Sequence, residues 1–260
     1  FSCILALGLI FFGFIFSILL LLFLALFFCL PFGPLFGFLR FPVGPLLLRP
    51  VFIWLSLLLV LVAFFVAVFI TAESSGAHLN PAVTLGLAVA GKFQWSMAVG
   101  YMLAQLGGAM LGSWLAYLLY VDHYKATTDE DTVRGTFCTG PAIRKFHNNF
   151  FSEAIGTFML VFGVLFIVAP KIEIDGLEVA NFGLGALDAL PVGILVWVIG
   201  IALGGTTGYA INPARDFGPR LVYQFLPRKN KNADWPYAWI PVLGPFTGAV
   251  VAGILFNVLT

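Results

Sequence analysis

Two short apolar stretches, His78–Val89 and Ile211–Phe225, each carry Asn-Pro-Ala near the start, at Asn80-Pro81-Ala82 and Asn212-Pro213-Ala214. As helices they would reach about 15–20 Å, too short to cross a bilayer core of about 30 Å. Asparagine is a strong helix N-cap, and proline suits the first helical position because the amide it lacks has no partner there anyway. A single Asn-Pro in a loop is usually a turn. Two copies, 132 positions apart (212 minus 80), divide the chain into matching halves.

The rest of the chain decides what those halves are made of. Of 260 residues, 61% are hydrophobic and 10% charged, against about 45–50% and about 25% in soluble domains. So much apolar surface belongs in lipid. Six stretches are long enough to span: Cys3–Leu30, Val51–Thr71, Trp95–Val121, Phe150–Ala169, Ala186–Leu203 and Ala238–Leu259. The first has no basic leader and reads as a trimmed membrane span rather than a signal peptide. Most of the charge sits in the links Asp122–Asn149, Lys171–Asp188 and Pro227–Trp235. Three spans separate the two short pieces, so these enter the membrane from opposite sides. Interrupted apolar segments at matching places in two halves mark a pathway at the midplane of an inverted repeat. The expected fold is an all-α membrane protein of six transmembrane helices plus two half-helices. It forms one domain over residues 1–260, with repeats about 1–122 and 146–260.

Each half-helix would then point its positive N-terminal end at the bilayer centre, where two such ends repel cations and hydronium. The Asn80 and Asn212 amides offer N–H donors to a passing oxygen. The segments before them, Gly76-Ala77-His78 and Gly208-Tyr209-Ala210, are expected to be extended, with carbonyls lining a wet path because they cannot face lipid unsatisfied. Such a path suits small, neutral, hydroxyl-bearing solutes. Arg215, three residues past the second cap, is an intramembrane arginine and a functional candidate by that fact. Its five donors can hold solute hydroxyls while its charge repels cations. Asp216 is expected to be structural, an acceptor near the half-helix start.

Other chemistries find little support. Cys3, Cys29 and Cys138 are scattered, and His78, His123 and His147 do not pair at ligand spacing, so neither a metal nor a cofactor is expected. No nucleophile–base pair suggests an enzyme, and a net charge of +1 gives no reason to expect nucleic acid. An ion-coupled carrier would need titratable groups at the midplane, where Glu153 stands alone.

"SGAHLNPAVT" (Ser75–Thr84) and "GYAINPARDFGPR" (Gly208–Arg220) resemble the two signature loops of the major intrinsic proteins, the aquaporin and glycerol-facilitator family. "SEAIGTFMLVFG" (Ser152–Gly163) resembles the start of that family's fourth span, and the likeness runs roughly over Thr71–Thr260. It implies a six-helix bundle with one pore per subunit, a homotetramer, and a multi-pass protein of a bacterial cytoplasmic or plasma membrane. It also implies passive passage of glycerol, related polyols and water, with ions excluded. Water-selective members usually have a histidine twelve residues before the second signature asparagine and a serine or similar residue after the arginine. Here Gly200 and Asp216 stand there, the glycerol-facilitator pattern, which leaves a water-selective channel as the alternative reading. The resemblance makes Arg215, Tyr209, Gly200 and Val60 the selectivity filter, and makes Glu153 a structural acid supporting a signature loop.

The first 70 residues depart from the family. They hold 16 of the 29 phenylalanines, with Arg40 and Arg49 their only charges, and no acid precedes Glu73. Glycerol facilitators tend to carry a filter tryptophan where this chain has Val60, and Trp54 lies six residues away. Family orientation places both termini in the cytoplasm, whereas the basic residues flanking the spans favour the reverse.

Overall fold

The computed structural model describes residues 44–167, 171–172, 180–181, 183 and 185–260. The expected first span, with Cys3, Cys29 and Arg40, lies outside the described residues, as do the side chains of residues 44–57, Arg49 and Trp54 among them. Each later span is helical: α1 Gly44–Ser75, α2 Pro81–Val89, α3 Trp95–Leu119, α4 Val121–Ala126, α5 Glu130–Phe137, α6 Phe146–Phe166, α7 Leu190–Thr207, α8 Pro213–Phe225 and α9 Ile240–Leu259. Five apolar helical stretches among the described residues are long enough to cross a membrane: Leu58–Ser75, Trp95–Leu119, Phe146–Phe166, Gly185–Thr207 and Ile240–Leu259. A two-residue antiparallel ladder joins Lys171–Ile172 to Ala180–Asn181.

Boundaries moved where polar side chains could cap. The link Asp122–Asn149 is largely helical, not irregular. Asp129 starts α5 by accepting from the amides of Asp131 and Thr132, an N-cap readable from "TDEDT". Helix α6 begins four residues before the expected Phe150 because Asn149 folds back, accepting from the Lys145 amide at 2.9 Å and donating to the Ile143 carbonyl at 3.1 Å. Helix α7 runs on to Thr207 and stops at Gly208, whose left-handed φ of 76° suits a residue without Cβ.

The two half-helices take equivalent seats. Helix α2 packs on α9 and α8 on α3, while α1 packs on α7 and α6 on α9. In lipid no hydrophobic force draws helices together, so close approach through small residues does the work. A Cβ on Gly86 of α2 would come within 2.4 Å of Val161 Cγ1, and one on Gly218 of α8 within 2.9 Å of Ala109 Cβ. These two glycines are again 132 positions apart. The tightest seam is α6 on α9, where a Cβ at Gly248 would lie 2.0 Å from the Ala154 carbonyl oxygen. Outward faces carry large exposed side chains such as Val99, Leu103, Phe151, Met159, Val251 and Val258.

Candidate functional site

The site begins at the two caps. Asn80 and Asn212 have extended backbone, with φ of −159° and −152°, and their Oδ1 atoms hold the first free amides of the half-helices. Asn80 Oδ1 accepts from Ala82 N at 2.8 Å; Asn212 Oδ1 accepts from Ala214 N and Arg215 N, both at 3.1 Å. Pro81 and Pro213 occupy the first helical turn, followed by Ala82 and Ala214, all four buried. The amide nitrogens then cross over. Asn80 Nδ2 donates to the Ile211 carbonyl at 2.7 Å, and Asn212 Nδ2 donates to the Leu79 carbonyl at 2.9 Å. These reciprocal bonds tie the two tips together at the centre of the molecule. Each amide carries two hydrogens, so one remains for a ligand.

The segments leading to the caps are not extended, contrary to expectation. Gly76, Ala77 and Leu79 have positive φ of 69°, 48° and 50°, and Gly208, Tyr209 and Ile211 have 76°, 39° and 41°. The pattern repeats residue for residue in the two halves. Four of these six are not glycine, and left-handed φ costs such residues roughly 1–2 kcal/mol each. Tertiary hydrogen bonds hold them. In the second loop Glu153, 1% exposed on α6, accepts from Ala210 N at 2.9 Å and Ile211 N at 2.7 Å. The matching position in the first half is Leu21, which lies outside the described residues. The first loop is tied differently. His78 Nδ1 lies 3.1 Å from Thr84 Oγ1, which accepts from Gln105 Nε2 at 3.0 Å and donates to the Asn80 carbonyl at 3.2 Å.

Asp216 does not cap the half-helix; Asn212 does that. Fully buried, it accepts from the Thr139 amide and hydroxyl, both at 2.7 Å, and from Arg220 Nε at 2.8 Å. Arg220 is also fully buried and donates to the carbonyls of Thr139, Ala233 and Asp234. Sequence reading passed over this arginine. It pins two connecting segments over α8 beside Arg215. Arg215 itself is half-buried, and its guanidinium reaches one carbonyl, that of Phe137, at 3.4 Å. Most of its donors are therefore available. Cys138 follows Phe137 in the chain, and burial pushes its thiol up to about 12.

Two cavities follow the half-helix tips. The outer one, about 180 Å³, is bounded by Val60, Tyr209 and Arg215 and reaches both asparagines. The inner one, about 90 Å³, is bounded by Gly76, Ala77, His78 and Asn80 with an apolar wall from α1, α6 and α7. Of the expected filter residues, Val60, Tyr209 and Arg215 share the outer wall. Gly200 is buried in α7 and lies on neither wall. Of the expected carbonyl acceptors, Tyr209 and Ala210 line the outer cavity, and Gly208 lines neither. Gly204, one turn of α7 further on, makes room for the Tyr209 ring: a Cβ there would meet Tyr209 Cδ1 at 2.9 Å. Phe64, Phe137, Leu160 and Val196 also line the outer wall, with Gly135, Thr136, Ile211 and Pro219 beside them.

Comparison with known proteins agrees with this geometry. The family model described as Major intrinsic protein matches residues 53–256. The probable glycerol uptake facilitator protein of Thermotoga maritima is 49% identical over 192 residues, which are 74% of this chain and 77% of that one. Glycerol uptake facilitator protein 3 of Lactiplantibacillus plantarum is 47% identical over 193 residues, 74% and 76% of the two chains. Among solved structures, the aquaglyceroporin from Plasmodium falciparum matches with a TM-score of 0.73 and 27% identity, covering 96% of each chain.

Proposed function

The chain belongs to the major intrinsic protein family, and from that premise we propose that it is a passive channel for glycerol and related small neutral polyols. Water passes by the same route, and ions and protons are excluded. The protein is a multi-pass component of a cell membrane. Its outward apolar side chains meet lipid and, in a homotetramer, neighbouring copies, each subunit keeping its own path.

One observation carries the reading. The outer cavity brings Arg215 and both asparagine amides onto an otherwise largely apolar wall. A polyol has one face of hydroxyls and one of carbon. Its hydroxyl oxygens accept from Arg215, then from the free hydrogens of Asn80 and Asn212. Its hydroxyl hydrogens go to the carbonyls of Tyr209 and Ala210 on the outer side and of Gly76, Ala77 and His78 on the inner side, with Gly208 at the bend. The Tyr209 ring, Val60 and the apolar wall take the carbon face, and Gly200 keeps the helix behind them slim.

Charge exclusion follows from the same parts. Two half-helix N-termini meeting end to end place partial positive charge at the centre, and Arg215 adds a full one at the outer entrance. A cation would have to shed water against both. Asp216 is balanced by the buried Arg220 guanidinium, and Glu153 has its oxygens on the Ala210 and Ile211 amides; neither acid lines the path. They serve as fixed supports for the second loop and for α8.

The test is re-swelling of proteoliposomes in an inward glycerol gradient, followed by stopped-flow light scattering. Glycerol entry well above protein-free vesicles is expected, with the same rate whether or not a pH or sodium gradient is present. Entry at the lipid background, or entry that needs either gradient, rejects the reading.

A further inference from the structure

The two cavities share four lining residues: Phe64, Asn80, Leu160 and Val196. Val60, Tyr209 and Arg215 line only the outer cavity, which continues past them to Asn80 and Asn212. The two cavities therefore meet one step further in than Arg215, where the shared residues stand.

The repeat places this junction at the molecular midpoint. Phe64 and Val196 are 132 positions apart, as are Asn80 and Asn212, so they are mates across the two halves. Their neighbours one turn back, Val60 and Val192, are also mates, and each lines a single cavity: Val60 the outer, Val192 the inner. Phe64 on α1, Val196 on α7 and Leu160 on α6 pack in one apolar cluster with Val83 and Ile211. Packing of that kind fixes ring and methyl positions. Where glycerol facilitators tend to carry a filter tryptophan this chain has Val60, and a ring stands at Phe64, about 6 Å further along the helix by the rise per residue.

We propose that this chain selects solutes by size at the collar formed by Phe64, Leu160 and Val196 beside the paired asparagines, with Phe64 the specificity-determining side chain. The proposal rests on the conduction reading above. Four- and five-carbon polyols enter the chamber at Arg215, where donors meet their hydroxyls, and are held back at the collar. There the three side chains offer no hydrogen bond in exchange for the water a longer polyol sheds. Glycerol exposes less polar surface to that apolar ring and passes.

The experiment measures glycerol and erythritol permeability in the same proteoliposome preparations and reads their ratio. Phe64→Ala is expected to raise the erythritol-to-glycerol ratio about tenfold, the discrimination that a small change in apolar pocket volume gives. Phe64→Leu should move it the same way by less. Val196→Phe, which adds a ring at the mate position, should lower it. Glycerol flux in each preparation reports that the variant is folded. A ratio unmoved by both Phe64 variants while glycerol still flows overturns the collar, and so does a rise in Val60→Ala equal to that in Phe64→Ala. Loss of the conduction reading looks different, because the parent protein itself then fails to pass glycerol.

Discussion

Replacing Asp216 by leucine removes the carboxylate from a fully buried ion pair. Asp216 and Arg220 both have 0% side-chain exposure, with Arg220 Nη2 at 2.8 Å from Asp216 Oδ1. Without the carboxylate, the guanidinium keeps the carbonyls of Thr139, Ala233 and Asp234 but loses its ion-pair partner. Breaking one side of a buried pair costs about 3–5 kcal/mol, because the remaining charge stays desolvated. The Thr139 amide and hydroxyl also lose their acceptor, at about 1–3 kcal/mol for each buried group left unmade. The single variant should therefore fall by at least about 3 kcal/mol. The double variant Asp216→Leu with Arg220→Met removes both charges together. It should be less destabilised than the two single variants summed, with a coupling of about 1 kcal/mol or more. The assay is unfolding by SDS from mixed micelles, followed by tryptophan fluorescence, for the parent, both singles and the double. A loss below about 0.5 kcal/mol in Asp216→Leu, the range of ordinary surface changes, would refute the reasoning, as would strictly additive singles.

Other variants probe other joints. Gly248→Val drives a side chain into the seam where a Cβ would already sit 2.0 Å from the Ala154 oxygen. It should separate α6 from α9 and abolish folded protein, read as loss of the monodisperse peak in detergent; a normal peak would contradict the packing. Arg215→Ala removes the charge at the outer entrance and should admit small cations while glycerol still passes, read as sodium entry into dye-loaded vesicles; unchanged exclusion would count against its role. Cys138 is 2% exposed and its thiol is raised to about 12, so at about pH 7.5, where a free thiol of pKa about 8.5 is roughly one-tenth ionised, maleimide should label it only after unfolding. With Cys3→Ser and Cys29→Ser in place, rapid labelling of the native protein would show that Cys138 is not held buried.

The parts legible in the sequence were those written in local chemistry. Asn80 and Asn212 cap helices through their own neighbouring amides, so the dipeptide and its repeat were enough to predict two short helices and their places. Apolar runs of sufficient length gave the later spans, although polar caps such as Asn149 shifted their ends. The bend at each loop was not legible. Ala77, Leu79, Tyr209 and Ile211 are not residues that announce positive φ, and only bonds such as those from Glu153 keep the second loop in that shape. Arg220 was missed for a related reason. Its partners at Thr139 and Ala233 lie 81 and 13 residues away, and only Asp216, one helical turn back, stands near enough in sequence to hint at a buried pair. Gly200, a filter residue by resemblance, is buried in α7 and borders neither of the two cavities. The residues that do line the wall, Phe64, Leu160 and Val196, read simply as membrane-helix side chains until the helices are assembled.

The central claim is that neutral solutes pass through the joined half-helix tips while charge does not. It is tested most directly by following glycerol entry and proton entry together, using light scattering and an entrapped pH dye in one set of proteoliposomes. Rapid glycerol influx with acidification no faster than in protein-free vesicles is the predicted result. Proton entry that rises with the protein content alongside glycerol would contradict it.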